Sequence, residues 1–275
     1  MHTYKKIANR KANTMKKLIA IVLAALTLVS ACLFLTSCGE EDKKTLNVYT
    51  NAGFAPYEYL DKDGNVVGVD MDTIKYIGEQ LGYNVVINDI EFNAILNEVA
   101  KDKLAVGAAG MTKKPERDEV ALATVVYATS IQYVIAPKGT FEAGKVVPAA
   151  DVVAYAAAQS AKAIGVQKGT TGADLAATAC EGSEATSIEY SNAIIASKDI
   201  GTTVSAVVID KMPAESICKD NANLECWQLD ADTESYVMYF NKESADLVAE
   251  VNKVLEKMIA DGKIDEFTVK HSSND

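Results

Sequence analysis

The sequence predicts an α/β fold in two lobes, each a mostly parallel sheet flanked by helices, joined by two crossovers. Two observations carry this. From residue 46 to residue 108 the hydrophobic pattern reads strand, helix, strand, helix, strand, the order that gives a parallel sheet with helices on its faces. Residues 131–136 and 235–240 then read as strands that leave and rejoin one body, and residues 137–234 between them alternate on their own account, as an inserted domain would. The expected division is 45–136 with 235–275 in one lobe and 137–234 in the other.

The amino terminus stands apart from both lobes. Lys16 and Lys17 precede an apolar run over 18–35, and Leu35-Thr36-Ser37-Cys38 closes it, a basic region, an apolar region and a small-residue cleavage site. The run is long enough to be weighed as a membrane span, but small residues beside a cysteine resemble the lipobox of bacterial lipoproteins. Residues 1–37 are expected to be a signal peptide, Cys38 the acylated first residue, and 38–44 a polar tether. Val29-Ser30-Ala31-Cys32 is a second box of the same kind, and the segment before Met15 reads as an upstream mis-start.

Without that segment the charge changes. Residues 1–37 hold six of the 27 Lys and Arg and no acid, so the remainder carries 21 basic and 38 acidic residues, net −17. Such a chain has no basic surplus with which to neutralise phosphates, and nucleic acid is excluded as a partner. Cys180, Cys218 and Cys226 remain, an odd number without a CxxC pair, which is neither a disulfide framework nor a zinc site. A Cys218–Cys226 bridge stays open; no metal or cofactor is expected.

In the first lobe, residues 46–50 alternate as a strand and 51–58 form a loop of turn formers and aromatics, with Phe54 and Tyr57 able to serve either a ligand or the core. A hairpin signal at Asp63-Gly64-Asn65 leads to a helix whose Met71, Ile74, Ile77 and Leu81 share a face, with Asp70 or Asp72 as its N-cap. A strand over 83–87, a helix over 94–101 and a strand over 104–108 follow. Ligands bind beyond the carboxyl ends of such strands, where Asn51, Phe54, Phe92 and the turn Gly110-Met111-Thr112 fall. Thr112 offers a hydroxyl, and Arg117 follows a Pro115 suited to a first helical turn. A guanidinium fork, a hydroxyl and free N–H groups make a carboxylate receptor; the plain alternative is a solvated surface arginine.

In the second lobe an Ala-rich helix over 149–162 precedes a strand over 163–167, the turn Lys168-Gly169-Thr170-Thr171-Gly172 and a helix, which aims N–H groups and the positive end of a dipole at an anion. Thr170 or Thr171 could equally cap that helix. A strand over 204–209 ends at Asp210, which could cap the helix after it. The chain returns over 235–240 to a helix over 244–260, ended by Gly262, and a final short helix.

The runs FAPYEYLDKDGNVVGVDMD, GMTKKPER and NKVLEKMIADGKIDEF resemble the family 3 solute-binding proteins of ABC transporters for polar amino acids, over nearly all of the chain after the signal segment. The resemblance implies the two-lobed periplasmic-binding-protein-like fold closing about two hinge crossovers. It implies that Arg117 and Thr112 hold the ligand α-carboxylate with Thr171 as a second contact, that Phe54 and Phe92 flank the ligand side chain with Gln167 near it, and that Asp210 receives the α-ammonium. The chain departs from the family at Ala123-Thr124-Val125-Val126-Tyr127, where Phe-x-x-Pro-Tyr-Tyr is usual. Asn51 stands where relatives that take basic amino acids carry a carboxylate, which points to a neutral or polar ligand. The function implied is a lipid-anchored, monomeric extracellular binding protein that delivers an amino acid to an ABC permease. A cyclohexadienyl-dehydratase-like enzyme on the same fold, with Glu58 as its only obvious carboxylate, and an amino-acid sensor module are the alternatives. His2 and His271 leave no histidine for catalysis in the cleft.

Overall fold

The computed structural model describes residues 43–272. The expected signal peptide, the acylated Cys38 and the tether up to residue 42 lie outside these residues. Strand β1 (Thr45–Thr50) buries every second side chain, as its alternation requires. A hairpin of β2 (Tyr59–Leu60) and β3 (Val66–Val67) turns around the Asp61 carboxylate, which accepts the N–H groups of Asp63 and Asn65 at 2.9 Å each. Helix α1 (Val69–Leu81) puts Met71, Ile74 and Ile77 on its buried face. Its cap is Gly68 rather than an aspartate, because the chain passes so close to Tyr57 that a Cβ at Gly68 would lie 2.0 Å from the Tyr57 carbonyl oxygen. Asp70, which with Asp72 was a candidate N-cap, is instead fully buried and accepts the Gly110 N–H and the Tyr127 hydroxyl.

The first lobe continues with β4 (Asn84–Asp89), a short 3₁₀ turn (Phe92–Ala94) into α2 (Ile95–Val99), β5 (Ala105–Gly107), α3 (Pro115–Val120) and β6 (Ala121–Ala123). β7 (Ala128–Ser130) leads out to the second lobe: β8 (Gln132–Pro137), α4 (Ala149–Ala158), β9 (Ala163–Gln167), α5 (Thr171–Cys180), β10 (Thr186–Tyr190), α6 (Ala193–Lys198), β11 (Ala206–Asp210), α7 (Lys211–Asp220) and β12 (Leu224–Gln228). β13 (Glu234–Tyr236) returns to β14 (Tyr239–Asn241), α8 (Ala245–Ala260) and α9 (Lys263–Ser272), and the last two helices pack on α1.

The sheets have the same plan. One runs β4-β1-β5-β14-β6 and the other β10-β9-β11-β8-β12. In each, one strand, β14 in the first and β8 in the second, runs antiparallel to both its neighbours while the other four share one direction, so the sheets are mixed. β7 and β13 pair with each other, Glu234 opposite Ser130 and Tyr236 opposite Ala128, as a two-stranded ribbon through which the chain crosses both ways.

Two expectations are corrected by this pairing. The strand expected over 131–136 to end the first lobe is β8, which bonds to β11 and β12 of the second sheet, so the crossover falls at β7. Val134, Ile135 and Ala136 are fully buried, and an apolar run of that kind suits the middle of either sheet. The single strand expected over 235–240 is two, because Tyr236 pairs in the ribbon while Tyr239 pairs with Gly107 and Ala123 in the first sheet. The Ala-rich helix ends at Ala158 rather than 162. Cys218 and Cys226, left open as a bridge, are free thiols. They hydrogen-bond to each other, and that bond with burial pushes the Cys218 thiol up.

Candidate functional site

The carboxyl ends of the parallel strands in both lobes open onto one cavity. All nine residues singled out from the sequence line it: Asn51 after β1, Phe54 in the next loop, Phe92 after β4, Gly110, Thr112 and Arg117 after β5, Gln167 ending β9, Thr171 opening α5, and Asp210 ending β11. Glu58, Ala109 and Thr170 line it as well.

Arg117 is not a solvated surface residue, being 8% exposed. Its guanidinium lies over the Phe92 ring at 5.3 Å from the centroid and donates to the carbonyls of Thr112 at 2.8 Å and Gly169 at 3.1 Å, one from each lobe. Burial pushes its pKa down, and the negative groups around it work against that fall. Gly110 makes the neighbouring turn possible: its φ is +52°, and a Cβ there would meet Phe54 at 2.6 Å.

The two adjacent threonines divide the roles that the sequence left open. Thr170 is the helix cap, accepting the Ala173 N–H at 3.2 Å and donating to the Gln167 carbonyl at 2.8 Å. Thr171 is thereby left to face the cleft. Asp210 makes no cap bond to α7; it accepts the Tyr236 hydroxyl at 2.6 Å. Burial first, then the Glu234 charge, raise its pKa to about 7 against the hydrogen bonds it accepts.

Asn51 is already satisfied by protein, donating to the Ile90 carbonyl at 2.7 Å and accepting from Gln167 at 2.8 Å across the cleft. Three carboxyl groups were not placed in the binding site from the sequence: Glu58, weighed there only for an enzyme, Asp70, weighed as an N-cap, and Glu234. Glu58 is 1% exposed, and its Oε2 is a buried oxygen without a hydrogen-bond partner. Burial, then the charges of Asp70 and Asp210, push its pKa well up. Asp70 accepts the Gly110 N–H at 2.9 Å and the Tyr127 hydroxyl at 2.7 Å, fixing the glycine turn to α1, and burial raises its pKa to about 6. Glu234, at the start of β13, accepts from Thr112, Thr171 and Gln132. A carboxylate in an apolar aromatic loop was the one signal that could have marked Glu58. Among the described residues, no group of three or more His, Cys, Asp or Glu is placed to hold a metal ion.

Residues 46–274 match the bacterial extracellular solute-binding proteins, family 3. The chain belongs to that family. As a family 3 protein it resembles the arginine-binding extracellular protein ArtP of Bacillus subtilis (strain 168), with 28% identity over 265 residues, 89% of this chain and 96% of that protein. An ancestral arginine-binding protein bound to arginine superposes with a TM-score of 0.74 at 27% identity, over 83% of this chain and 98% of that one. The same ancestral type bound to glutamine gives 0.73 at 28% identity, over 83% and 97%. Among the described residues, no helix of this family 3 protein is long and apolar enough to cross a membrane.

Proposed function

We propose that this chain captures a free α-amino acid with a cationic side chain between its two lobes and hands it to an ABC importer. The carrying observation is the pair of buried carboxyl groups, Glu58 and Asp210, that share one cavity with the single guanidinium of Arg117. Arg117 would pair with the ligand carboxylate and Asp210 with its ammonium. That leaves the unpartnered oxygen of Glu58 for a second positive group. A desolvated cation needs such a countercharge, and the Phe54 and Phe92 rings supply the apolar walls for its stem. The similarity to arginine-binding relatives supports the same reading.

A neutral or polar ligand is the second reading, favoured by the facing amides of Asn51 and Gln167 and by the glutamine-bound relative. Calorimetric titration of L-arginine, L-lysine, L-glutamine and L-glutamate separates the two. Arginine or lysine is expected to bind most tightly, and Glu58→Gln should weaken that binding about 100-fold while sparing glutamine. A wild type that prefers glutamine would overturn the cationic assignment.

Binding without chemistry is the reading adopted over a dehydratase-like enzyme. His271 lies away from the cleft, paired with Asp72 and Tyr59, which leaves the cavity no imidazole to act as acid or base. A sensor module would use the same cleft, and the importer reading follows the family. For the anchor, Cys38 is taken as the diacylated residue of a monomeric, membrane-held protein, since two acyl chains hold where one does not. Cys38→Ala should abolish incorporation of labelled fatty acid; continued labelling would move the anchor to Cys32.

A further inference from the structure

Glu234 stands at the entry of the return strand, half-buried, beside the ligand turn: the Lys113 N–H bonds to the Ser235 carbonyl at 2.8 Å and Thr112 pairs with Tyr236. Its Oε2 accepts the Thr112 hydroxyl at 2.5 Å and the Thr171 hydroxyl at 3.0 Å, and its Oε1 accepts the Gln132 side-chain amide at 2.9 Å. Thr112 belongs to the first lobe, Thr171 and Gln132 to the second. One carboxylate on the crossover ribbon therefore ties both lobes.

A hydroxyl has a single proton to give. With both threonine protons directed at Glu234, each oxygen has only lone pairs left for the cleft, which suit an ammonium and repel a carboxylate. For Thr112 and Thr171 to serve a ligand carboxylate, Glu234 has to let go of them. It has somewhere to go, since a second cavity is lined by Glu234, Thr112 and Thr171 together with Lys113 and Lys114.

We propose that Glu234 is an intramolecular counterpart of the ligand's carboxylate, latching the lobes through the two hydroxyls and exchanged for the amino acid's own carboxylate on capture. This rests on the reading that the cleft receives an α-amino acid. The latch closes the lobes without ligand and lowers apparent affinity by the fraction of molecules in which it is fastened.

The test compares the mature wild type with Glu234→Ala and Glu234→Gln, folding being checked by circular dichroism. In small-angle scattering without amino acid, the alanine variant should show a larger radius of gyration than the wild type, with the glutamine variant between them. In calorimetry with L-arginine and L-glutamine, the alanine variant should bind whichever ligand the wild type prefers roughly tenfold more tightly. Weaker binding by the alanine variant, or scattering identical to wild type before ligand is added, overturns the latch. If neither amino acid binds the wild type, the functional reading fails, and the ligand-free scattering still decides the latch.

Discussion

Arg117 and Asp210 approach the cavity from different lobes, and each is buried by the protein before any ligand contact is considered. Under the proposed assignment, removing either would leave one end of a bound zwitterion without its partner. Arg117→Ala and Asp210→Ala should each lose on the order of 2–5 kcal/mol of binding, measured calorimetrically, while circular dichroism stays that of the wild type. Retention of near wild-type affinity would remove the residue from the site. The nine cavity residues were legible because each falls at a strand end or on a motif, and a strand end fixes location before any contact is known. Glu58, Asp70 and Glu234 were not. In sequence each is one more acid beside a loop or helix in a chain with 38 acids. Their character comes from long-range neighbours: Gly110 and Tyr127 for Asp70, Thr171 and Gln132 for Glu234.

At the scale of elements, the glycine turn after β5 is the most constrained piece of the cleft. Gly110 combines a left-handed backbone with a side of the chain pressed on Phe54. Gly110→Ala should therefore both strain the turn and push the ring out of place, costing at least tenfold in affinity along with about 1–3 kcal/mol of stability. Equal affinity in calorimetry and an unchanged chemical denaturation midpoint would show that the turn tolerates a side chain. Helix α8 was readable from its period, and Val248, Val251, Leu255 and Met258 are its buried face. β10 was not, since none of its residues is fully buried and its alternation is confined to Ile188 and Tyr190, and the six-residue α6 is too short for a period to register. β8 was readable as a strand but not as a member of one sheet rather than the other, because pairing across long separations is not written in local pattern.

Over the whole molecule, the buried acids set the response to pH. Asp70 and Asp210 hold protons up to about pH 6 and 7 in the folded chain against 3.8 for an ordinary aspartate. Between about pH 4 and pH 7 the folded state then binds more protons than the unfolded one, so stability falls as pH rises through that window and levels off above it. Without amino acid, the melting temperature at pH 8 should be lower than at pH 5 by roughly 5 °C or more. With saturating L-arginine the trend should reverse, because the ligand's ammonium favours the ionised Asp210 that higher pH supplies. A ligand-free melting curve that does not move across this range would mean that these acids titrate normally.

Glu58 and Asp210 in one cavity with the Arg117 guanidinium, and Glu234 on the threonines beside it, would also sort solutes by sign before shape. L-Glutamate and L-glutamine have nearly the same outline, yet glutamate would bring a second anion among groups that already repel one another, where no bulk water softens the encounter. Under the proposed reading, such a receptor would stay unoccupied in a medium rich in acidic amino acids.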